Sequence, residues 1–523
     1  MTVCGTLEHT WEVTHAALHG QYSSKRLQQF RDYCRHASLL RVLAVLFLTP
    51  VPCIAVVVLT DAIPMEAPEK GLAGSFTFWV RLFIAVGFIS GGAMEQFRTT
   101  ISTLPVGKWH AVGLSVIDAA VTAGSGLAIA SVIGFPIPFT IAVTSVPWGI
   151  SVVGTLWWLL RQHFRDNPED TRELRQYLPV VMVQVVLTMV YPAYTYVFLH
   201  LSTASQVAFA TLMPIIKLTA KNAVAYALHG KDELKPEAVI LNVEVFNALF
   251  MVCCMQGSTS IYATLVLMGA DFLHACWSLR DIKVMLNQIS DVALPGQCLA
   301  QGEFWLDQAI FLCERNPSFA DRMIPSGATR HLGRVHPSIE LRPSSVFEPV
   351  HNLVANPTQL QVIQQTYSNK PASALDPRLE CAIAEVTALS PLQKKQFVLQ
   401  TLRILYRLEF VLLIEFTETI VPIIYSVFVS MALHLPNHEY YSQFIGATAD
   451  GVVHQLNNVL TYSALELASL VALQVMLRCY VKLSPLHLLA FVLEKQINMV
   501  QSHLIAWFQV SINMMLFHFG EDS

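Results

Sequence analysis

Residues 39–60 read LLRVLAVLFLTPVPCIAVVVLT, and Arg41 is the one charged side chain among them. An α-helix needs about 20 consecutive apolar residues to cross the roughly 30 Å of hydrocarbon in a bilayer. This stretch is therefore predicted to span a membrane. The whole chain is apolar in the same way, because 54% of the 523 residues are hydrophobic and 13% are charged. An ordinary soluble domain carries about 25% charged residues.

The composition excludes several classes of protein. A soluble surface on a chain of this size needs many more charges, and a mean hydropathy of +0.48 is too high for a disordered chain. The formal net charge of −4 lacks the basic footprint of a nucleic-acid-binding protein. The class that is left is an integral membrane protein, which lies in the lipid bilayer. No nucleic-acid partner is expected.

Apolar stretches of spanning length recur along the chain. They are 39–60, 75–94, 110–132, 138–160, 178–200, 207–228, 238–256, 259–279, 408–433, 456–477 and 500–519. The sequence therefore predicts an all-α, polytopic transmembrane bundle of about 11 spans with one cytoplasmic insertion. The alternative is 10 spans, with the last helix lying in the membrane interface.

The distribution of Lys and Arg predicts the orientation, because cytoplasmic loops hold the excess of these residues. With the N-terminus in the cytoplasm, the inner loops hold nearly all the basic residues and the outer loops hold Lys70 alone. None of the ten cysteines falls in a predicted outer loop. The N-terminus is predicted to be cytoplasmic and the C-terminus to lie outside, in a plasma membrane or an endomembrane.

The spans divide the chain into four parts. Residues 1–38 form a cytoplasmic N-terminal segment, 39–279 an eight-span bundle, 280–407 a cytoplasmic insertion and 408–519 a three-span segment. The insertion has helical patterns at 302–314 and from near Asp376, and the Pro-, Ser- and Arg-rich stretch between them predicts a partly disordered linker. The composition of 280–407 permits this segment to bind a cytoplasmic protein partner, without proving that it does.

The string LSPL occurs at 389–392 and at 483–486, each time followed after four residues by FVL. Ser390 and Ser484 are predicted helix N-caps, with Pro391 and Pro485 at the first helical position, where a missing N–H is tolerated. A repeat of structure and a common helix-start pattern both explain the recurrence.

Ionisable side chains at membrane depth are costly and mark pathways or pairing sites. The acids are Asp118, Glu244, Asp271, Glu415, Glu418 and Glu466, and the bases are Arg81, Lys217 and Lys221. Lys217 and Lys221 share one helix face, so they are expected to face Glu244, Asp271, Glu415 or Glu418. Acids outnumber bases, so some carboxyl groups are expected to be protonated, solvated or neutralised by a cation.

A binding site for a small solute or ion is therefore predicted. Its members are Lys217, Lys221, Glu244, Asp271, Glu415, Glu418 and Glu466. Structural ion pairs are the alternative reading of the same residues. No catalytic motif, metal-binding motif or cofactor motif is found. A transporter or channel is the leading hypothesis for the function. The alternatives are a sensor or receptor that signals through 280–407 and, more remotely, a membrane-embedded enzyme.

The runs YPAYTYVF (191–198), LMPIIKLTAKN (212–222), FPIPF (135–139) and LSPLHLLAFVLE (483–494) are similar to those of a large family of uncharacterised polytopic membrane proteins of water moulds. The terminal FHFG (517–520) is also similar. The resemblance covers most of the chain. It implies a multi-pass membrane protein and carries no activity or ligand with it.

Overall fold

A computed structural model describes most of the chain. The described residues are 18, 20–137, 139–257, 269, 280, 282–284, 304–320, 377–441, 444, 449–516 and 518. Every regular element in these ranges is helical, and extended pairing is limited there to one isolated bridge between Tyr441 and Leu516. The prediction of an all-α protein is confirmed for the described residues.

Seventeen helices of six or more residues form the described fold. In chain order they are α1 Ser24–His36, α2 Leu39–Leu48, α3 Val51–Asp61, α4 Phe76–Thr100, α5 Lys108–Ile133, α6 Thr140–Leu159, α7 Arg161–Asp166, α8 Pro168–His200, α9 Thr203–Ala210, α10 Leu212–Ala227, α11 Lys235–Gly257, α12 Trp305–Arg315, α13 Pro377–Thr387, α14 Pro391–Ala432, α15 Ala449–Val481, α16 Pro485–Lys495 and α17 Ile497–Met514.

Within the described residues, seven helical segments are long and apolar enough to cross a membrane. They are Leu39–Asp61, Phe76–Thr100, Lys108–Ile133, Thr140–Leu159, Pro168–Phe198, Pro391–Ala432 and Leu456–Val481. These segments correspond to seven of the predicted spans. The first of them consists of α2 and α3, which meet at Pro50, where the chain makes a turn.

The other four predicted spans differ in character. The stretch 207–228 is interrupted at Thr211, between α9 and α10. The stretches 238–256 and 500–519 correspond to α11 and α17, which carry buried polar side chains such as Asn242 and Gln509. The stretch 259–279 lies outside the described residues except for one position. The count of 11 spans stays a prediction.

Helix α14 is the central helix of the bundle. Its most apolar window is 83% buried, compared with 28% for the same measure in α5 and in α15. It packs against α11 and α15, while α17 packs against α4 and α11. A helix that is apolar all round belongs in a core, whereas a helix with one exposed apolar face borders lipid.

Helix α14 begins as the sequence predicts and runs on into the predicted span 408–433. Ser390 caps it through a reciprocal capping box with Gln393, and Pro391 follows at the first helical position. The helix runs for 42 residues, which corresponds to about 63 Å. It therefore continues through the predicted boundary at residue 407, and Leu402 and Leu405 before that boundary are fully buried.

The outer helices expose large apolar side chains. Leu40 on α2 is 79% exposed, and Val132 on α5 is 84% exposed. In water such a surface would favour association. In a bilayer it is the expected lipid-facing surface, because lipid tails are as apolar as these side chains.

Candidate functional site

Four ionisable side chains from three helices meet inside the bundle. The Nζ of Lys217 on α10 lies 2.8 Å from Oε2 of Glu244 on α11 and 3.2 Å from Oε1 of Glu418 on α14. Lys221, one turn further along α10, pairs with the other oxygen of Glu244. The pairing of the lysines with Glu244 and Glu418 that the sequence predicts is therefore present. Their role in binding a solute stays a prediction.

The remaining members of the predicted set are placed as follows. Glu415 is buried on α14 and accepts a hydrogen bond of 2.9 Å from Ser469 on α15. Glu466 is also buried on α15, one turn from Ser469. Asp271 lies outside the described residues.

The cluster of Lys217, Lys221, Glu244 and Glu418 balances its own charge, since it has two cationic and two anionic side chains. Glu244 is fully buried and contacts both lysines. Breaking such a pair leaves a charge in a poorly solvated place, which costs several kcal/mol. The arrangement is therefore suited to locking α10, α11 and α14 together.

A second buried ionic cluster was not predicted. The Nη2 of Arg26 on α1 lies 2.7 Å from Oε1 of Glu237 and 2.7 Å from Oε1 of Glu409. All three side chains are at most 5% exposed. Arg26 belongs to a polar N-terminal segment, so its sequence context gave no signal of burial. A third buried pair joins Arg81 to Asp61 at 2.7 Å.

A cavity of about 70 Å³ lies among α4, α5, α6, α8 and α17. Its lining combines apolar side chains with uncharged polar ones. The polar lining residues include Gln96, Gln184, Thr188, His503, Gln509 and Asn513. Neither lysine of the ionic cluster lines this cavity, so the two features are distinct sites in the bundle.

An amide network positions one wall of the cavity. The side-chain oxygen of Gln96 accepts hydrogen bonds from Tyr177 at 3.1 Å and from Gln184 at 2.9 Å. The Gln184 amide also donates to the side-chain oxygen of Asn242 at 2.5 Å. Buried polar groups that partner each other in this way are rigid. The network therefore fixes α4, α8 and α11 around the cavity.

Two polar atoms on α17, which forms another part of the lining, have no hydrogen-bond partner among the described residues. The Nδ1 of His503 lies 2.8 Å from the carbonyl oxygen of Met499. A carbonyl only accepts, so Nδ1 carries the proton and Nε2 of a neutral ring is left as an acceptor. That Nε2 atom and the indole N–H of Trp507 are buried and unpartnered. The two residues lie one turn apart on α17.

The cavity was not predicted because its signal is weak in a sequence. Gln96, Gln184 and Asn513 are uncharged, and they come from three helices that are far apart in the chain. Charged residues in apolar stretches are conspicuous, whereas single amides in such stretches are ordinary. A screen for uncharged polar residues in apolar stretches would have found them.

The apolar helices, the lipid-facing outer surface and the buried polar interior define a helical integral membrane protein. Comparisons with family models, with curated proteins and with solved structures found no match to this chain. The function is therefore argued from the geometry of the sites alone.

Proposed function

We propose that this protein is a membrane transporter for a small, uncharged, hydrogen-bonding solute that binds in the cavity among α4, α5, α6, α8 and α17. One observation carries the proposal. His503 and Trp507 present an unpartnered acceptor and an unpartnered donor on one wall of a buried cavity. A buried polar group without a partner costs about 1–3 kcal/mol, so these groups are better explained by a ligand than by folding.

The size of the cavity supports a solute of few atoms. A cavity needs about 10–15 Å³ to hold one water molecule, and this cavity has about 70 Å³. It is therefore large enough for several waters or for one small molecule. The indole ring of Trp507 stacks on Phe246 at a centroid distance of 4.3 Å, which holds the donor in place.

The chemistry of the lining favours an uncharged solute over an ion. Gln96, Gln184 and Thr188 are polar without being charged, and no Asp, Glu, Lys or Arg is among the lining residues. Transferring an ion into a poorly solvated site without a counter-charge is expensive. A molecule that both donates and accepts hydrogen bonds, such as an amide or a polyol, suits the lining better.

The test uses the purified full chain and three probes, acetamide, urea and glycerol. We expect at least one of them to raise the melting temperature in detergent, because a ligand of the folded state stabilises it. The same compound is expected to enter vesicles that contain the protein faster than it enters empty vesicles. His503→Phe keeps an aromatic ring and removes the acceptor, so it is expected to weaken binding about tenfold or more.

The stability of this variant separates binding from folding. His503→Phe removes an acceptor that has no partner among the described residues and also the Nδ1 hydrogen bond to the Met499 carbonyl. The variant is therefore expected to express and to lose no more than about 0.5–1.5 kcal/mol of stability, and binding is read as the shift in melting temperature that a probe adds to each protein. His434→Phe changes an exposed histidine in a turn and serves as the matched control. Unchanged binding and transport in His503→Phe would overturn the assignment of the solute to this cavity.

A second candidate function is a receptor, and the length of α14 favours it. This helix links the buried centre of the bundle to Leu402 and Leu405, beyond the predicted edge of the membrane. Helix α14 also packs against α12. Ligand binding without any transport in vesicles, together with changed protease sensitivity of 280–407, would favour a receptor over a transporter.

A further inference from the structure

Asp118 on α5 is a buried carboxyl group that has no basic partner among the described residues. Its side chain is fully buried. The Oδ1 atom lies 2.7 Å from the hydroxyl of Ser151 and 2.9 Å from the hydroxyl of Thr155, both on α6. The Oδ2 atom has no hydrogen-bond partner in the part of the chain that the structure describes.

The number of protons in this group of contacts indicates the protonation state. The hydroxyl of Thr155 lies 2.9 Å from Asp118 and also 2.8 Å from the carbonyl oxygen of Ser151. With the Ser151–Asp118 contact, this makes three short oxygen–oxygen contacts, and the two hydroxyls supply two protons. Without a further proton, Thr155 shares its one hydrogen between Asp118 and the Ser151 carbonyl. A proton on Oδ1 gives each contact its own hydrogen: Ser151 donates to Asp118, Asp118 to Thr155, and Thr155 to the Ser151 carbonyl.

The charged groups on the neighbouring helices are engaged elsewhere. Helices α4 and α6 pack against α5, and α6 has no titratable side chain. On α4, Arg81 pairs with Asp61, and Glu95 pairs with Arg98. On α5 itself, Lys108 and His110 lie at the first turn, more than two turns away.

The close approach of α4 excludes other partners from that side. A Cβ atom on Gly87 would lie 3.9 Å from Ala119, and one on Gly91 would lie 3.6 Å from Ser115. At the level of Asp118, therefore, α4 approaches α5 through backbone and small side chains. A carboxylate in this place would have only two hydroxyls and no counter-charge, which is costly in a poorly solvated region.

We propose that Asp118 is a proton-binding site inside the membrane that takes up and releases a proton through the neighbouring cavity. Thr122 lies one turn from Asp118 on the same face of α5 and lines the cavity; its hydroxyl donates a hydrogen bond of 2.7 Å to the main-chain carbonyl of Asp118. Trp148, one turn from Ser151 on α6, also lines it. Release leaves a carboxylate and transfers the proton to water in the cavity, so the step is a simple acid dissociation. The inference does not depend on which solute the cavity holds.

The test is infrared difference spectroscopy of the full chain in phosphatidylcholine vesicles, comparing the unmodified protein with Asp118→Asn. The amide nitrogen of asparagine can donate to Thr155 as the protonated carboxyl group does, so this variant is expected to fold. The unmodified protein should show a carbonyl band of a protonated carboxyl group that Asp118→Asn lacks. The band should disappear reversibly as the pH is raised, because a site that exchanges protons must titrate.

Two further variants keep the inference testable if Asp118→Asn does not fold. Thr155→Val removes the acceptor of the Asp118 proton and should shift the band. Ser131→Ala removes an exposed hydroxyl on α5 that bonds within its own helix and should leave the band unchanged. A carboxylate band at neutral pH would overturn the protonated state. A carboxyl band that persists at every pH would overturn proton exchange.

Discussion

At the scale of single residues, Lys217 is the most sensitive position in the ionic cluster, because it contacts both Glu244 and Glu418. Lys217→Met removes the cation that the two carboxylates share. Breaking a buried ion pair from one side costs about 3–5 kcal/mol. We expect a loss of that size in the free energy of unfolding, measured by denaturation of the purified protein in detergent.

The double variant Lys217→Met with Glu418→Gln identifies the interaction. Neutralising the acid that faces the lost cation should recover part of the loss, so the two changes should not be additive. Lys70→Met, which changes an exposed lysine at the end of the short 3-10 helix Pro68–Lys70, is the matched control and should be nearly neutral. Strictly additive losses would contradict the pairing.

A second residue-scale prediction concerns pH and Glu494 on α16. Hydrogen bonds from Arg41 hold the pKa of this carboxyl group below its usual 4.5, although partial burial opposes the effect. The phenol of Tyr33 donates a third bond, and burial together with this carboxylate raises the pKa of Tyr33 to about 12. A lowered carboxyl pKa gives stability that is present above the unfolded value and is lost as the pH falls through the folded value.

Glu494→Gln should therefore melt at a lower temperature than the unmodified protein at neutral pH. The two melting temperatures should converge as the pH falls below about 4.5, the ordinary Glu value. Melting curves across a pH series measure this, with Glu439→Gln, an exposed carboxyl group in the short 3-10 helix His438–Tyr440, as the control. A constant difference at every pH would show that the loss of the charge is not the cause.

At the scale of helices, the contact between α4 and α17 has no space for a side chain at Gly92. A Cβ atom there would lie 2.9 Å from the carbonyl oxygen of Ser502. A backbone carbonyl cannot turn away, so Gly92→Ala should force the helices apart and cost about 1–3 kcal/mol. Gly113→Ala on α5 has open space and should retain stability. Equal melting temperatures for the two variants would contradict this close contact.

The same contact connects packing to the proposed solute site. Ser502 precedes His503 on α17, and Gln96, one turn from Gly92 on α4, also lines the cavity. A displacement of α17 by Gly92→Ala is therefore expected to weaken binding of the probes as well as stability. The thermal-shift measurement with acetamide, urea and glycerol tests this effect alongside the loss of stability.

How far the sequence predicts these helices depends on the kind of signal. Apolar length predicts α5 and α6 well, because lipid contact requires apolar side chains on the outer faces. Charged residues in apolar stretches predict the ionic cluster as well, because Lys217 and Lys221 are unusual in such a stretch. The sequence does not predict the burial of Arg26, which depends on how α1 packs against the bundle. It also does not predict the break at Thr211, which depends on tertiary packing.

At the scale of the whole molecule, four strongly exposed Trp and Tyr residues lie near the ends of helices. Trp109, Trp158, Tyr226 and Tyr480 are 87%, 70%, 82% and 61% exposed, and each lies near a helix end. Trp and Tyr favour the boundary between lipid and water. In the predicted topology, all four of these helix ends lie on the cytoplasmic side, so they would form one belt at that interface.

The number of spans decides whether the two ends of the chain lie on the same side, and protease protection measures it. Each span reverses the side of the membrane, so 11 spans place a tag before Met1 and a tag after Ser523 on opposite sides. In sealed vesicles from expressing cells, we expect one tag to be cleaved and the other to be protected until detergent is added.

A tag inserted in 321–376 should behave as the N-terminal tag does, because the basic residues of 280–407 favour the cytoplasmic side. Equal protection of the two terminal tags would require an even number of spans. That result would favour the alternative of 10 spans, in which the last helix lies in the interface.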